Sequence, residues 1–126
     1  MKLLLDTHVL LWAAAGDPRL RSEVAAAVAD PANSILVSAA SAWEIAIKAA
    51  LGRPTMNPEQ VAGCVAEGRF VELPVTIAHA NHAGELPPHH RDPFDRMLVA
   101  QARVVGATLV THDRALGAYD VPILWA

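Results

Sequence analysis

The 126-residue sequence has a single cysteine, Cys64, so no disulfide can form within it. A chain without disulfides is typical of a reducing compartment, and we expect a cytoplasmic protein. The sequence also lacks an apolar run of about 18 residues, so we expect no membrane-spanning helix. Near the N-terminus, Asp6, Thr7 and His8 interrupt two short apolar runs, which argues against a signal peptide.

Basic residues are also scarce. The chain has 10 Lys and Arg against 13 Asp and Glu, a formal net charge of −3. A protein that binds nucleic acid by electrostatics alone carries a basic surface, so such a function would need another source of positive charge here. Hydrophobic residues are abundant at 53%, which excludes a disordered chain and suits one domain with one core.

Short apolar runs alternate with helical segments along the chain. We predict strands at residues 3–5, 35–37, 70–73, 108–110 and 123–125. We predict helices at residues 8–15, 19–29, 39–51, 58–67, 76–84 and 93–106, with a short helix after the fourth strand. Gly52 and Pro54 are the expected stop signals of the third helix. Continuous apolar strands that alternate with helices predict an α/β fold with a parallel sheet.

Four acidic residues fall near the predicted carboxyl ends of the strands. Asp6 directly follows the first strand, and Asp113 follows the fourth. Glu44 and Asp95 lie in the early turns of two helices that should start at the same edge. Ligands of open α/β sheets bind at this edge. Four carboxylates there would repel each other unless divalent cations neutralised them, and hard oxygen ligands favour Mg²⁺ or Mn²⁺.

Each of these acids also has a structural interpretation. Ser41 and Glu44 match a capping box, and Glu44 could instead pair with Lys48 one turn later. Asp113 could cap the short helix that follows it. Asp6 is the hardest to explain structurally, because it ends an apolar strand and a buried ionised carboxylate is costly unless paired.

The segment around Pro93 contains two further acids. We expect Asp92 to cap the helix, with Pro93 at its first position and Asp95 at its third. An acid at the third position also interacts favourably with the helix dipole. Capping is therefore the preferred role for Asp92, whereas both roles stay open for Asp95.

Four histidines suggest an alternative metal site, which would bind zinc. They are His79, His82, His89 and His90. Histidines are common on exposed helices and loops, and no cysteine accompanies these four. We therefore prefer the carboxylates as the metal-binding group.

Three tryptophans lie in apolar runs without a basic patch beside them. They are Trp12, Trp43 and Trp125. We expect these side chains in the core or in a dimer interface.

Four segments together resemble the PIN-domain ribonucleases and, more narrowly, the VapC-type toxins of bacterial toxin–antitoxin pairs. In chain order they are LLLDTHVLLW, SAASAWEIAIK, HHRDPFDRMLVAQA and LVTHD. The resemblance covers nearly the whole chain and implies a single PIN domain over residues 1–126. The implied fold is a three-layer α/β/α structure with a central parallel sheet. The implied activity is that of a Mg²⁺- or Mn²⁺-dependent endonuclease acting on single-stranded or structured RNA.

The resemblance also assigns roles. The four family acids fall on the residues singled out above: Asp6, Glu44, Asp95 and Asp113. The family's frequent hydroxyl falls on Thr111, and Asp92 is extra to the pattern, so it either assists a metal or caps. On this interpretation, metal held by Asp6 and Asp95 activates a water for attack on phosphorus. Glu44 and Asp113 hold a second metal or orient that water.

Two Mg²⁺ ions would turn the formal net charge of −3 into +1, which answers the charge objection. Four basic residues near the acids in sequence are candidate contacts for RNA phosphates. They are Lys48, Arg91, Arg96 and Arg114. The resemblance further implies a VapB-like antitoxin partner and a homodimer.

Two other functions stay open at this point. A phosphohydrolase similar to the haloacid dehalogenases would use Asp6 as a nucleophile, but that mechanism usually needs a second Asp where this sequence has His8. A catalytically degenerate PIN domain would only bind RNA or a protein, and the presence of all four acids argues against it. Chelator-sensitive RNA cleavage would separate both from the nuclease.

Overall fold

A computed structural model, which describes residues 1–53 and 57–126, confirms the predicted alternation of strands and helices. The strands in these ranges are β1 (Lys2–Leu5), β2 (Ser34–Ser38), β3 (Val71–Leu73), β4 (Thr108–Thr111) and β5 (Ile123–Trp125). The α-helices are α1 (Thr7–Ala15), α2 (Ser22–Ala29), α3 (Ala39–Ala50), α4 (Pro58–Ala66), α5 (Ile77–Glu85) and α6 (Pro93–Val105), and Arg114–Ala118 forms a 3-10 helix. Helix α3 ends before Gly52, and Pro54 lies outside the described residues.

All strand pairs of the sheet are parallel, in the order β3-β2-β1-β4-β5. Leu4 in the central strand β1 aligns with Leu36 of β2 and Leu109 of β4. The chain runs outward from β1 to β3 and then returns to β4 on the other side. The order therefore reverses beside β1, and the crevice between the carboxyl ends of β1 and β4 is where such folds bind ligands.

Helices cover both faces of this sheet, which gives the predicted three layers. Leu3 and Leu5 pack with side chains of α1, α2 and α4, whereas Leu4 points to the opposite face and packs with α6. All three leucines are fully buried. Because both faces of β1 are covered, its sequence is a continuous apolar run rather than an alternating one.

The start of α2 and the cap of α3 differ from the prediction. Helix α2 begins at Ser22 rather than near residue 19, because the Asp17 carboxylate accepts the Arg19 backbone N–H at 2.9 Å and holds a turn there. Helix α3 is capped by Ser38, whose Oγ accepts the Ala40 N–H at 3.0 Å. Ser41 lies buried inside α3, so the predicted capping box of Ser41 and Glu44 is wrong.

The tryptophans do not share one environment. Trp43 is 64% exposed, and its ring contacts that of Phe94 edge-on with centroids 5.5 Å apart. Trp12 and Trp125 are half-buried. A core position is therefore wrong for Trp43, while the dimer-interface alternative stays a prediction. None of the described helices has the length and hydropathy needed to cross a lipid bilayer.

Candidate active site

Asp6 lies at the end of β1 and has two structural partners. Its Oδ1 accepts the Val9 N–H at 2.8 Å, which caps α1, and its Oδ2 accepts the Thr111 hydroxyl at 2.5 Å. Burial raises the pKa of Asp6, while the hydrogen bonds from Thr111 and Val9 and the nearby His112 and His8 oppose that rise. Asp6 is thus a helix cap and, at the same time, a buried acid at the switch point of the sheet.

Thr111 connects two of the predicted site acids. Its hydroxyl donates to Asp6, and the same oxygen accepts the Asp113 N–H at 3.0 Å. Since Thr111 ends β4, this pair of hydrogen bonds ties the carboxyl ends of the two neighbouring strands together. The Thr111 hydroxyl therefore lies between two of the predicted site acids.

Asp113 caps the 3-10 helix through the Ala115 N–H at 3.0 Å, and its Oδ2 lies 3.0 Å from His90 Nε2. Partial burial raises the pKa of Asp113. The hydrogen bonds from Ala115 and His90 and the charges of His90 and His112 outweigh burial, so the net shift is downward. This carboxylate is ionised at neutral pH, as a cation ligand requires.

Asp95 sits in the first turn of α6 with its Oδ2 3.4 Å from His90 Nε2. Burial and the charges of Asp92, Asp6 and Asp113 together raise the pKa of Asp95 to about 7, and His90 opposes this rise. Asp92, Asp6 and Asp113 therefore lie close enough to Asp95 for their charges to affect its pKa. Asp92 itself caps α6 by accepting the Phe94 N–H at 2.9 Å, as predicted.

Glu44 reaches the same edge from α3. Its Oε1 accepts the Thr7 hydroxyl at 2.7 Å, and its Oε2 lies 3.1 Å from Lys48 Nζ. The predicted pairing with Lys48 is therefore present. Because Thr7 follows Asp6 in sequence, this hydrogen bond fixes Glu44 beside the end of β1.

Among the described residues, one group of possible metal ligands has its atoms within 4.8 Å of one another: His90, Asp95 and Asp113. Asp6 and Glu44 are not members of that group. The carboxylates suit a hard divalent cation, whose charge would offset the burial and the neighbouring acids that raise the pKa of Asp95. The chemistry of these residues thus fits a Mg²⁺ or Mn²⁺ site.

Comparison with known proteins identifies the family. The model of the PIN domain matches residues 3–122, which is nearly the whole chain. The chain belongs to the PIN-domain family. No curated protein sequence matches this PIN domain significantly.

Solved structures share the fold at low sequence identity. VapBC2 from Rickettsia felis, solved with a DNA fragment from its promoter, has a TM-score of 0.73 and 15% identity, covering 100% of this chain and 99% of that one. DNA-bound VapBC from Salmonella typhimurium has a TM-score of 0.69 and 21% identity, with 99% and 98% covered. FitAcB from Neisseria gonorrhoeae gives 0.63 and 20%, with 97% and 96% covered.

The sequence pattern placed His90 in a possible zinc site, whereas the structure of this PIN domain places it beside Asp95 and Asp113. The four histidines of the zinc hypothesis lie apart in the structure. His79 is buried, with its Nδ1 accepting the Thr76 N–H at 3.1 Å, and the His89 ring packs on Tyr119. Only His90 of that set joins the described metal-ligand group, together with carboxylates rather than other histidines. The zinc site is therefore not formed within the described residues.

The Arg96 guanidinium is engaged in hydrogen bonds within the protein. Its Nη atoms donate to the carbonyl oxygens of Ala83, Leu86 and Pro87 at 2.9 to 3.0 Å, and Nη1 also donates to the Tyr119 hydroxyl at 3.3 Å. These contacts fix the loop between α5 and α6. They argue against the predicted phosphate contact by Arg96.

The other candidate phosphate contacts differ from one another. Lys48 pairs with Glu44. The Arg114 guanidinium lies 4.4 Å from the centroid of a Trp125 ring, and Arg91 is exposed. Arg91 and Arg114 are therefore the better placed of the four to meet a phosphate.

The contacts of Arg96 predict that Arg96→Lys destabilises the fold. A lysine cannot reproduce a planar fork of donors, so several carbonyl groups would lose their partner. We expect a loss of about 2 kcal/mol in the free energy of unfolding, measured by thermal melting. The control is Arg91→Lys on the exposed neighbouring site. Equal melting temperatures for the two variants would contradict the structural role.

Proposed function

We propose that this PIN domain is a Mg²⁺- or Mn²⁺-dependent endoribonuclease and the toxin of a VapBC-type toxin–antitoxin module. The observation that carries the proposal is the convergence of Asp6, Asp95 and Asp113 at the switch point of the sheet. A fold held together only by its packing would gain nothing from placing these like charges together. Perturbed acids in such a crevice are typical of a catalytic site.

The residues that would hold a divalent cation are Asp95 and Asp113, with Asp6 and Glu44 beside them. A bound cation would polarise a phosphate oxygen and lower the pKa of an attacking water. The chain's own contribution is to orient these oxygens. Thr111 holds the Asp6 carboxylate, and Thr7 holds that of Glu44.

Phosphate binding is proposed for the basic side chains at the rim. The formal charge of −3 makes general attraction to RNA weak, so the substrate must be held by a few local contacts and by the cation. Arg91 and Arg114 flank the acids in sequence and serve as these contacts. The alternative of a degenerate domain predicts RNA binding without cleavage.

Cleavage of RNA is the first test. Purified protein should cut RNA with Mg²⁺ or Mn²⁺ present and should stop when EDTA removes the metal. Readdition of Mg²⁺ in excess should restore cleavage, which controls for damage by the chelator. The assay is gel analysis of a defined RNA over time. Undiminished cleavage by metal-stripped protein would overturn metal dependence.

A VapB-like antitoxin is the proposed partner, supported by the VapBC complexes that share the fold. Expression of this chain alone should arrest bacterial growth, because an unrestrained ribonuclease destroys cytoplasmic RNA. Asp6→Asn should relieve the arrest at equal protein level. Normal growth with abundant wild-type protein would count against a toxin. We also propose a homodimer, in line with the large exposed apolar side chains Trp43, Leu51 and Ile77.

A further inference from the structure

The His90 ring makes hydrogen bonds through both nitrogens. Its Nδ1 accepts the Asp92 backbone N–H at 3.0 Å. Its Nε2 lies 3.0 Å from Asp113 Oδ2 and 3.4 Å from Asp95 Oδ2. A ring nitrogen that accepts an N–H bears no proton, so in the neutral imidazole the proton is on Nε2. The Nε2–H therefore donates to Asp113, and Asp95 Oδ2 lies 3.4 Å from the same nitrogen.

The position of His90 is built into the fold. Its backbone N–H donates to the Tyr119 hydroxyl at 3.0 Å, and Arg96 donates to the same hydroxyl. The His90 side chain is only 19% exposed. The ring is thus fixed by its backbone on one side and by the Asp92 N–H on the other, and its orientation does not depend on the carboxylates alone.

This proton assignment decides what His90 can do. A nitrogen that ligates a metal must offer a lone pair, and the Nε2 of this tautomer carries a hydrogen instead. The position of His90 Nε2 therefore suits a metal ligand, but its protonated state does not. Its Nε2–H points at the oxygens that a cation would use.

We propose that His90 is a positioning residue: its Nε2–H donates to Asp113 beside Asp95 in the metal-free protein and competes with the divalent cation for this carboxylate. The proposal rests on the proposed function, because it concerns the same metal site. It predicts that the hydrogen bond between His90 and Asp113 is lost when metal binds. It excludes His90 as a ligand in the orientation observed.

The tautomer of wild-type His90 is the direct test. Long-range ¹H–¹⁵N NMR of metal-free protein at pH 8 should show a protonated Nε2 and an unprotonated Nδ1 for His90. Saturating Mg²⁺ should shift the His90 Nε2 resonance, because its hydrogen bond to Asp113 is lost. A protonated Nδ1, or a His90 ring whose resonances ignore Mg²⁺, would overturn the proposal. This measurement needs no variant to fold.

The affinity for Mn²⁺ of a matched variant is the second test. In His90→Asn, the side-chain oxygen can still accept the Asp92 N–H, while the donor that reaches the carboxylates is removed. Calorimetry should give a dissociation constant about 3- to 10-fold lower than that of wild type, equivalent to one competing hydrogen bond. The control is His89→Asn, because the His89 ring packs on Tyr119 instead.

The outcomes separate the possible roles. Weaker Mn²⁺ binding by His90→Asn would make His90 a ligand, and an unchanged constant would show that it does not compete; either result overturns the proposal. Wild-type protein that binds no Mn²⁺ overturns both the competition and the proposed metal dependence. Wild-type protein that binds Mn²⁺ but cuts no RNA overturns the proposed function alone.

Discussion

Asp6→Asn is expected to reduce metal-dependent RNA cleavage at least about 100-fold, the scale of losing a group that supports a catalytic cation. The substitution removes charge while keeping shape, and the asparagine oxygen can still accept the Val9 N–H that caps α1. The loss should therefore come from chemistry rather than unfolding. The measurement is the rate of RNA cleavage at saturating Mg²⁺, with circular dichroism to verify the fold.

Asp92→Asn is the matched control for this experiment. Asp92 caps α6 through the Phe94 N–H, and asparagine caps a helix about as well as aspartate does. Most of the activity should therefore survive. If Asp92→Asn loses as much activity as Asp6→Asn, Asp92 has a role in the site beyond capping. If Asp6→Asn stays fully active, Asp6 does not belong to the catalytic group.

Asp95→Asn should stabilise the metal-free protein, and the gain should grow with pH. The pKa of Asp95 is about 7 in the folded chain, against an ordinary value of 3.8. Between these values the folded state binds more protons than the unfolded state, so wild-type stability falls as pH rises through this range. The shift corresponds to about 4 kcal/mol, which we reduce to about 2 kcal/mol for screening by solvent.

Thermal melting in EDTA at pH 4.5 and pH 8 measures this effect. The asparagine variant should melt close to wild type at the lower pH and about 5–10 °C higher at the upper pH. Loss of the favourable dipole interaction costs only a few tenths of a kcal/mol and does not reverse the sign. Asp120→Asn, at an exposed site, should differ little from wild type at either pH. A variant that melts below wild type at pH 8 would make Asp95 a structural cap.

Much of the site could be predicted because residues that follow parallel strands lie at one edge of the sheet. A continuous apolar run marks a strand with both faces covered, and the carboxyl ends of parallel strands share one edge. The acids after β1 and β4 therefore had to lie near each other. Thr111, which ends β4 and donates to Asp6, was indicated by the family resemblance and not by this reasoning.

The features that could not be predicted depend on partners distant in sequence. His90 meets Asp113, which is 23 positions away, so nothing in the sequence around His90 indicates that contact. The Arg96 guanidinium donates to backbone carbonyl oxygens. Every residue has such a carbonyl, so no sequence pattern indicates which ones Arg96 contacts. Ser38 and Ser41 are both plausible caps of α3, and the choice between them depends on where β2 ends and on the contact of Ser41 with Thr7.

The central position of β1 has a consequence for the order in which a nascent chain matures. Asp6 is synthesised before the other residues of the candidate site, yet the hydroxyl that orients it belongs to Thr111, 105 positions later. A chain that ends before β4 exposes one edge of β1 and lacks both Thr111 and Asp113. Pairing so distant in sequence forms late and only after a large loss of chain entropy. The candidate site is therefore complete only after β4 has been synthesised and has paired with β1.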